Sequence, residues 1–121
     1  MYDSNFGEAI YSYTRAQAIQ DGVLVDLCQL DPIRRAFKYP VACTDTVWGI
    51  IEAATKQPHQ DLDGIAHDIA TMALLSIRIS KGGDTVRFKV SIAGETHTLK
   101  LHIGPGDTMA PVMTLMLPSE D

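Results

Sequence analysis

The sequence has few of the residues that would indicate a disulfide or zinc scaffold. It contains only two cysteines, Cys28 and Cys43, and neither lies in a Cys-x-x-Cys motif. One disulfide is compatible with that number, but nothing in the sequence suggests an oxidising compartment. We therefore predict two reduced and at least partly buried thiols, and the sequence gives only weak support for a redox or zinc role.

Long apolar runs are also missing. No stretch approaches the roughly 18 uninterrupted apolar residues of a membrane span. Residues 1–5 have neither the basic start nor the apolar run of a signal peptide. We expect a cytoplasmic protein that has no membrane partner. The length of 121 residues and a hydrophobic fraction of 45% favour one globular domain over residues 1–121.

Basic residues are outnumbered, with 10 Lys and Arg against 15 Asp and Glu and a net charge of −5. This balance argues against a general polyanion binder, because phosphate affinity comes mostly from clustered Lys and Arg. The bases are nevertheless concentrated in one segment. Residues 78–102 hold Arg78, Lys81, Arg87, Lys89 and Lys100 against only Asp84 and Glu95.

The first two thirds of the chain predict helices and one short strand. Asp61 or Asp63 caps the longest helix, roughly 62–80, which is apolar almost all round from Met72 to Ile79 and should be the most buried. The remaining predictions are a partly ordered arm at 1–12, a helix between Thr14 and Gly22, a strand at 23–27, a helix starting at Asp31-Pro32, and a helix capped by Thr44 with Val47, Ile50, Ile51 and Ala54 on one face.

Beyond Gly82 the apolar period changes from 3.6 to 2. Three alternating runs, within 86–92, 99–103 and 111–117, are separated by turns at 93–95 and 104–107. The sequence therefore predicts an α+β fold, with N-terminal helices packed on one face of a C-terminal antiparallel three- or four-stranded sheet. Residues 112–117 are apolar on both faces, which predicts a strand covered on both sides or docked on a second copy in a homodimer.

Several unusual segments resemble one protein family. They are Ser12-Tyr-Thr-Arg-Ala-Gln-Ala18, Asp21-Gly-Val-Leu-Val-Asp26, Phe37-Lys-Tyr-Pro-Val-Ala42 and the C-terminal run from Pro111 to Asp121. Together they resemble an uncharacterised bacterial domain-of-unknown-function family that is found largely on plasmids and other mobile elements. The resemblance supplies no catalytic residues. It implies an accessory role, such as defence evasion or plasmid maintenance, rather than metabolism.

The candidate binding residues are Arg87, Lys89, Lys100 and His102. Strand alternation places the members of each pair on one face of their strand. If the apolar residues of both strands point into the core, all four share the outer face and form a basic patch. Such a patch suits an acidic protein surface or a nucleic-acid backbone. The alternative is a solvated sheet face with edge-protecting lysines.

A metal site is the other candidate. Asp63 and His67 lie four residues apart and would share one face of a helix, as divalent-metal ligands do. A phosphohydrolase-like site would need further ligands, whereas His97 and His102 fall in the predicted sheet. The simpler interpretation is an acidic helix start with His67 exposed.

No nucleophile elbow or phosphate-binding loop is present, so we predict no catalytic residue, cofactor or metal. The leading hypothesis is a non-enzymatic protein-interaction module of a mobile genetic element that interferes with a host defence system. The alternatives are a nucleic-acid accessory protein that uses the basic sheet face and a small metal-dependent hydrolase near His67.

Overall fold

A computed structural model describes residues 13–120 of the chain, so the arm predicted at 1–12 lies outside the described residues. The helices and strands within 13–120 alternate in an irregular order. They are α1 (Arg15–Gln20), β1 (Leu24–Asp26), α2 (Asp31–Ala36), β2 (Val41–Thr44), α3 (Asp45–Thr55), α4 (Leu62–Ile79), β3 (Thr85–Ile92), β4 (Glu95–Pro105) and β5 (Pro111–Met116), with a short 3₁₀ turn at Leu27–Gln29.

The strands form one mixed sheet in the order β1-β2-β5-β4-β3. The predicted α+β class and the antiparallel β3-β4-β5 meander are confirmed. The prediction of an antiparallel sheet of three or four strands was wrong in its number of strands, which is five, and it did not include a parallel pair. β2 was not predicted. It pairs parallel with β5 and antiparallel with β1, and it thereby joins the β3-β4-β5 meander to the strand near residues 23–27.

Side chains cap most of the helices where the sequence predicted. Thr14 forms a reciprocal capping box with Gln17 at α1. Thr44 accepts from the amide of Val47 at the start of α3, and Asp61 accepts from the amide of Gly64 at the start of α4. These bonds satisfy amides that have no partner inside the first helical turn. At α2 the cap position is Leu30, so Asp31 lies in the first turn instead.

The main core lies between α3, α4 and one face of the sheet. Leu99, Leu115 and Val47 are at most 1% exposed, and each such side chain contributes roughly 1.5–3 kcal/mol by burial. Helix α4 contributes five buried residues to this core, more than any other helix within residues 13–120. Its C-terminal end is less covered than the apolar sequence suggests, because Leu75 is 48% exposed and Ile79 is 74% exposed.

Helix α1 lies against the opposite face of the sheet. The Arg15 guanidinium donates to Thr114 Oγ1 at 2.8 Å and to the Met113 carbonyl at 2.6 Å. Thr114 points away from the buried Met113 and Leu115 on β5, because side chains alternate along a strand. The helices consequently do not all pack on one face, which corrects the sequence prediction. Burial lowers the pKa of Arg15, and Asp107 partly opposes that shift.

The turn predicted at 104–107 anchors α1. β4 continues to Pro105, so the turn lies later than expected, and its Asp107 carboxylate accepts from the amides of Arg15 and Ala16. These bonds lower the pKa of Asp107. With α1 on one face of β5 and the core on the other, the chain itself supplies the two-sided cover predicted for residues 112–117.

Among the residues from 13 to 120, no helix combines the length and the apolar character needed to cross a bilayer.

Candidate interaction surface

The four predicted basic residues lie on the outer face of β3 and β4, opposite the main core. Arg87 pairs directly with Lys100 in the strand register, and Lys89 pairs with Thr98. The intervening Phe88 pairs with Leu99, and both are buried in the core. His102 pairs with Thr85 at the end of the same ladder. All four side chains therefore lie on the side of the sheet that strand alternation predicts.

Lys100 is committed to a contact within the chain. Its ammonium donates to the Glu120 carbonyl at 2.6 Å and to the Pro118 carbonyl at 3.3 Å. The Glu120 carboxylate in turn accepts from the Thr44 hydroxyl and from the Leu117 amide, both at 2.8 Å. Lys100 thus holds the C-terminal segment (residues 117–120) against the sheet.

His102 lies beside an acidic group. Its Nε2 is 3.7 Å from Asp84 Oδ2, while Asp84 Oδ1 accepts from the Thr85 hydroxyl at 3.1 Å. These residues, together with Lys100 and Met116, line an open cleft of about 420 Å³. The cleft contains both signs of charge, so it does not extend a uniformly basic surface.

Arg87 and Lys89 remain as the exposed cations of the patch. Within residues 13–120, neither side chain forms a hydrogen bond or an ion pair. Both lie on β3, which is at the edge of the sheet and pairs only with β4 in the described part of the chain. The structure therefore reduces the predicted four-residue patch to two available cations on an edge strand.

At alternate residues of β3, the backbone amide and carbonyl point away from β4. The two-residue turn at Ala93-Gly94, with φ of 52° and 84°, closes the β3-β4 hairpin. In such a hairpin the flanking pair is hydrogen-bonded, and every second pair after it is too. The even-numbered residues of β3 therefore bond to β4. The amides and carbonyls of Thr85, Arg87, Lys89 and Ser91 point away from it.

An apolar flank of α4 adjoins this open edge. Met72 and Thr71 line a shallow groove of about 200 Å³ together with Val90 and Ser91, and Asp68 lies at the same place. Leu75 and Ile79 follow Met72 by three and seven residues, so they extend along the same side of the helix. Sequence reasoning missed this flank because a helix that is apolar almost all round does not reveal which side is covered.

Within residues 13–120, the structure brings no further ligands to the candidate metal pair Asp63 and His67. Asp63 and His67 are exposed on the first turns of α4, and His67 Nδ1 is 3.9 Å from Asp68. Across the described residues, no three His, Cys, Asp or Glu side chains are grouped closely enough to hold one metal ion. His97 lies on the core face of β4, 3.7 Å from Glu95.

The two cysteines are free thiols. Cys43 is fully buried in β2, and burial raises its pKa to about 12. Cys28 is partly buried, and its sulfur accepts from the Val41 amide at 3.2 Å. Both therefore have structural surroundings that fit the sequence prediction.

Comparison with known proteins gives one result that agrees with the resemblance noted from the sequence. The family described as "Family of unknown function (DUF6573)" matches residues 3–121. The chain belongs to this family. No curated protein and no solved structure matched the chain. The family match covers both the edge strand β3 and the flank of α4, and it brings no assigned residues to either.

Proposed function

We propose that this member of the family is a non-enzymatic protein-interaction module of a mobile genetic element, acting in the cytoplasm. It interferes with a host defence system by binding one of that system's proteins through β3 and the adjoining flank of α4. The resemblance to plasmid-borne sequences supports the genetic setting. The net charge of −5 disfavours nonspecific binding to nucleic acid and supports a protein partner.

The observation that carries this proposal is that β3 combines an open backbone edge, an adjoining apolar flank of α4 and two exposed cations. An edge strand offers unpaired backbone groups, and proteins usually shorten, cover or interrupt such strands. β3 is eight residues long and contains no proline. Beside it, Leu75 and Ile79 are exposed in a position where a partner would cover them. Arg87 and Lys89 add a local positive charge that favours an acidic partner surface.

The test is capture of a partner from host lysate by the tagged chain, with cross-links mapped by mass spectrometry. The double variant Arg87→Glu with Lys89→Glu should lose the partner. Its matched control is Lys38→Glu with Lys56→Glu, which changes the net charge equally at two exposed sites that are not part of β3. Equal loss in both variants, or cross-links confined to other surfaces, would contradict the proposal.

A nucleic-acid accessory role is the second candidate, and the exposed cations Arg87 and Lys89 on one face of β3 favour it. Contacts with phosphates would make binding steeply dependent on salt. Fluorescence anisotropy with labelled single- and double-stranded oligonucleotides at low salt tests this role. Tight binding that the Arg87→Glu, Lys89→Glu variant abolishes would make nucleic acid the partner instead.

A further inference from the structure

We propose that the groove between β3 and α4 accepts an extended acidic segment of the partner protein, which adds to the sheet as a strand beside β3. This inference rests on the proposed function, since it specifies the chemistry of the partner that β3 binds. Strand addition supplies affinity through main-chain hydrogen bonds, and it supplies specificity through alternate side chains.

The backbone of β3 provides the template for this pairing. The amides and carbonyls of Thr85, Arg87, Lys89 and Ser91 point to the open side, two residues apart, as an incoming strand requires. The sheet continues behind β3 through four further strands. An added strand would therefore extend a sheet that is already formed, and the domain would not need to rearrange.

The two faces of the added strand would meet different surroundings. Side chains on the outer face would lie beside Arg87 and Lys89, where carboxylates are favoured. Side chains on the inner face would lie beside Met72, Leu75 and Ile79, where apolar groups are favoured. Asp68 lines the groove on the inner side and disfavours acidic side chains there. The expected segment therefore alternates acidic and apolar residues.

The same charges disfavour a second copy of this chain at the edge. Two β3 strands paired together would bring Arg87 and Lys89 of one copy beside Arg87 and Lys89 of the other on the outer face. Like charges on neighbouring strands are destabilising. A nucleic acid would place phosphates near the apolar residues and the carboxylate of the inner wall. An acidic extended peptide satisfies both walls.

The experiment uses the full chain and two capped synthetic peptides as long as β3. One alternates glutamate with valine, and the other alternates lysine with valine. We expect the glutamate peptide to bind in fluorescence anisotropy and the lysine peptide to bind at least about tenfold more weakly. On binding, amide hydrogen exchange should slow at Arg87, Lys89 and Ser91. Phe88 and Val90, whose amides bond to β4, should change little.

Two variants separate strand addition from simple charge attraction. Ser91→Pro removes one outward amide and leaves both cations in place, so glutamate-peptide binding should weaken about fivefold. Ser91→Ala is its matched control and should bind as the wild type does. The variant Arg87→Glu with Lys89→Glu should reverse the preference and bind the lysine peptide better. Circular dichroism and thermal melting confirm that each variant is folded.

The outcomes distinguish this inference from the function on which it rests. If charge reversal abolishes partner capture but Ser91→Pro binds the glutamate peptide normally, the chain binds proteins through side chains and strand addition is wrong. Strand addition is also wrong if neither peptide slows exchange at β3 while partner capture depends on Arg87 and Lys89. If a concentration-dependent dimer protects these amides, a second copy is the occupant. If the wild-type chain captures no partner and binds neither peptide, the proposed function is overturned as well.

Discussion

Replacing Lys100 with methionine tests whether this residue serves the fold or a partner. Methionine keeps the apolar stem of the side chain but removes the ammonium that bonds to the carbonyls of Pro118 and Glu120. The C-terminal segment should then separate from the sheet more easily. Binding of a partner or peptide at β3 should change by less than about twofold, which corresponds to about 0.4 kcal/mol.

The size of the stability loss follows from the contacts. Hydrogen bonds to a charged group contribute about 1.5–3 kcal/mol, whereas fixing a lysine side chain costs up to about 2 kcal/mol. Removing the charge also relieves a cross-strand repulsion from Arg87, worth a few tenths of a kcal/mol. We expect a net loss of about 1 kcal/mol in the free energy of unfolding. For a domain of this size that is a decrease of about 4 °C in Tm.

Urea denaturation and thermal melting measure this loss, and Lys89→Met is the matched control. Lys89 is exposed on the same sheet face, so its replacement should change stability by less than about 0.5 kcal/mol while weakening peptide binding. In a chain shortened to end at Leu117, Lys100→Met should cost nothing further, because its carbonyl partners are gone. An equal cost for both lysines, or lost binding without lost stability in Lys100→Met, would refute the reasoning.

Three further predictions follow from the core and from α1. Leu99→Ala should lower the free energy of unfolding by about 3 kcal/mol in urea titrations, because Leu99 is fully buried; Thr98→Ala, on the exposed side, should cost less than about 0.5 kcal/mol. A thiol reagent at mildly alkaline pH should leave Cys43 unmodified until the chain unfolds, because Cys43 is buried and its pKa is raised to about 12; labelling of native Cys43 would contradict this. The pKa of Asp107 is lowered in the folded state. The Asp107 carboxylate therefore contributes its full stabilisation above the unfolded-state pKa of about 3.9, and this stabilisation is lost as the pH falls through the folded-state pKa. Melting curves should therefore show a lower Tm for Asp107→Ala than for wild type at neutral pH, and this difference in Tm should narrow in acid. A difference in Tm that does not change with pH would contradict the stabilising role of the Asp107 carboxylate.

Local features of the fold were predictable, and long-range pairing was not. Thr14, Thr44 and Asp61 cap helices through bonds to residues three positions ahead, so the signal lies within a few residues of sequence. β2 was missed because its four residues, Val41–Thr44, fall between a proline and a helix and show no alternation. Its identity as a strand depends on pairing with β5, about seventy residues later.

The candidate site was also predictable only in part, because its local features followed from the sequence and its long-range contacts did not. Alternation predicted that Arg87, Lys89, Lys100 and His102 share a face, and the register agrees. It did not reveal that Lys100 holds the C-terminal segment or that Asp84 lies beside His102. Those contacts join residues that are distant in the sequence, and no local pattern records them.

The sequence alone determined where helix gives way to strand near Gly82 and which side chains of β3 and β4 face the core. Both follow from the geometry of a single element, since each backbone sets its own side-chain period. Only the tertiary structure decided that β3 is an edge, that β5 lies in the centre of the sheet, and that the end of α4 stays uncovered. Those outcomes depend on how all the apolar surfaces of the chain are buried together, and this packing brings distant segments into contact.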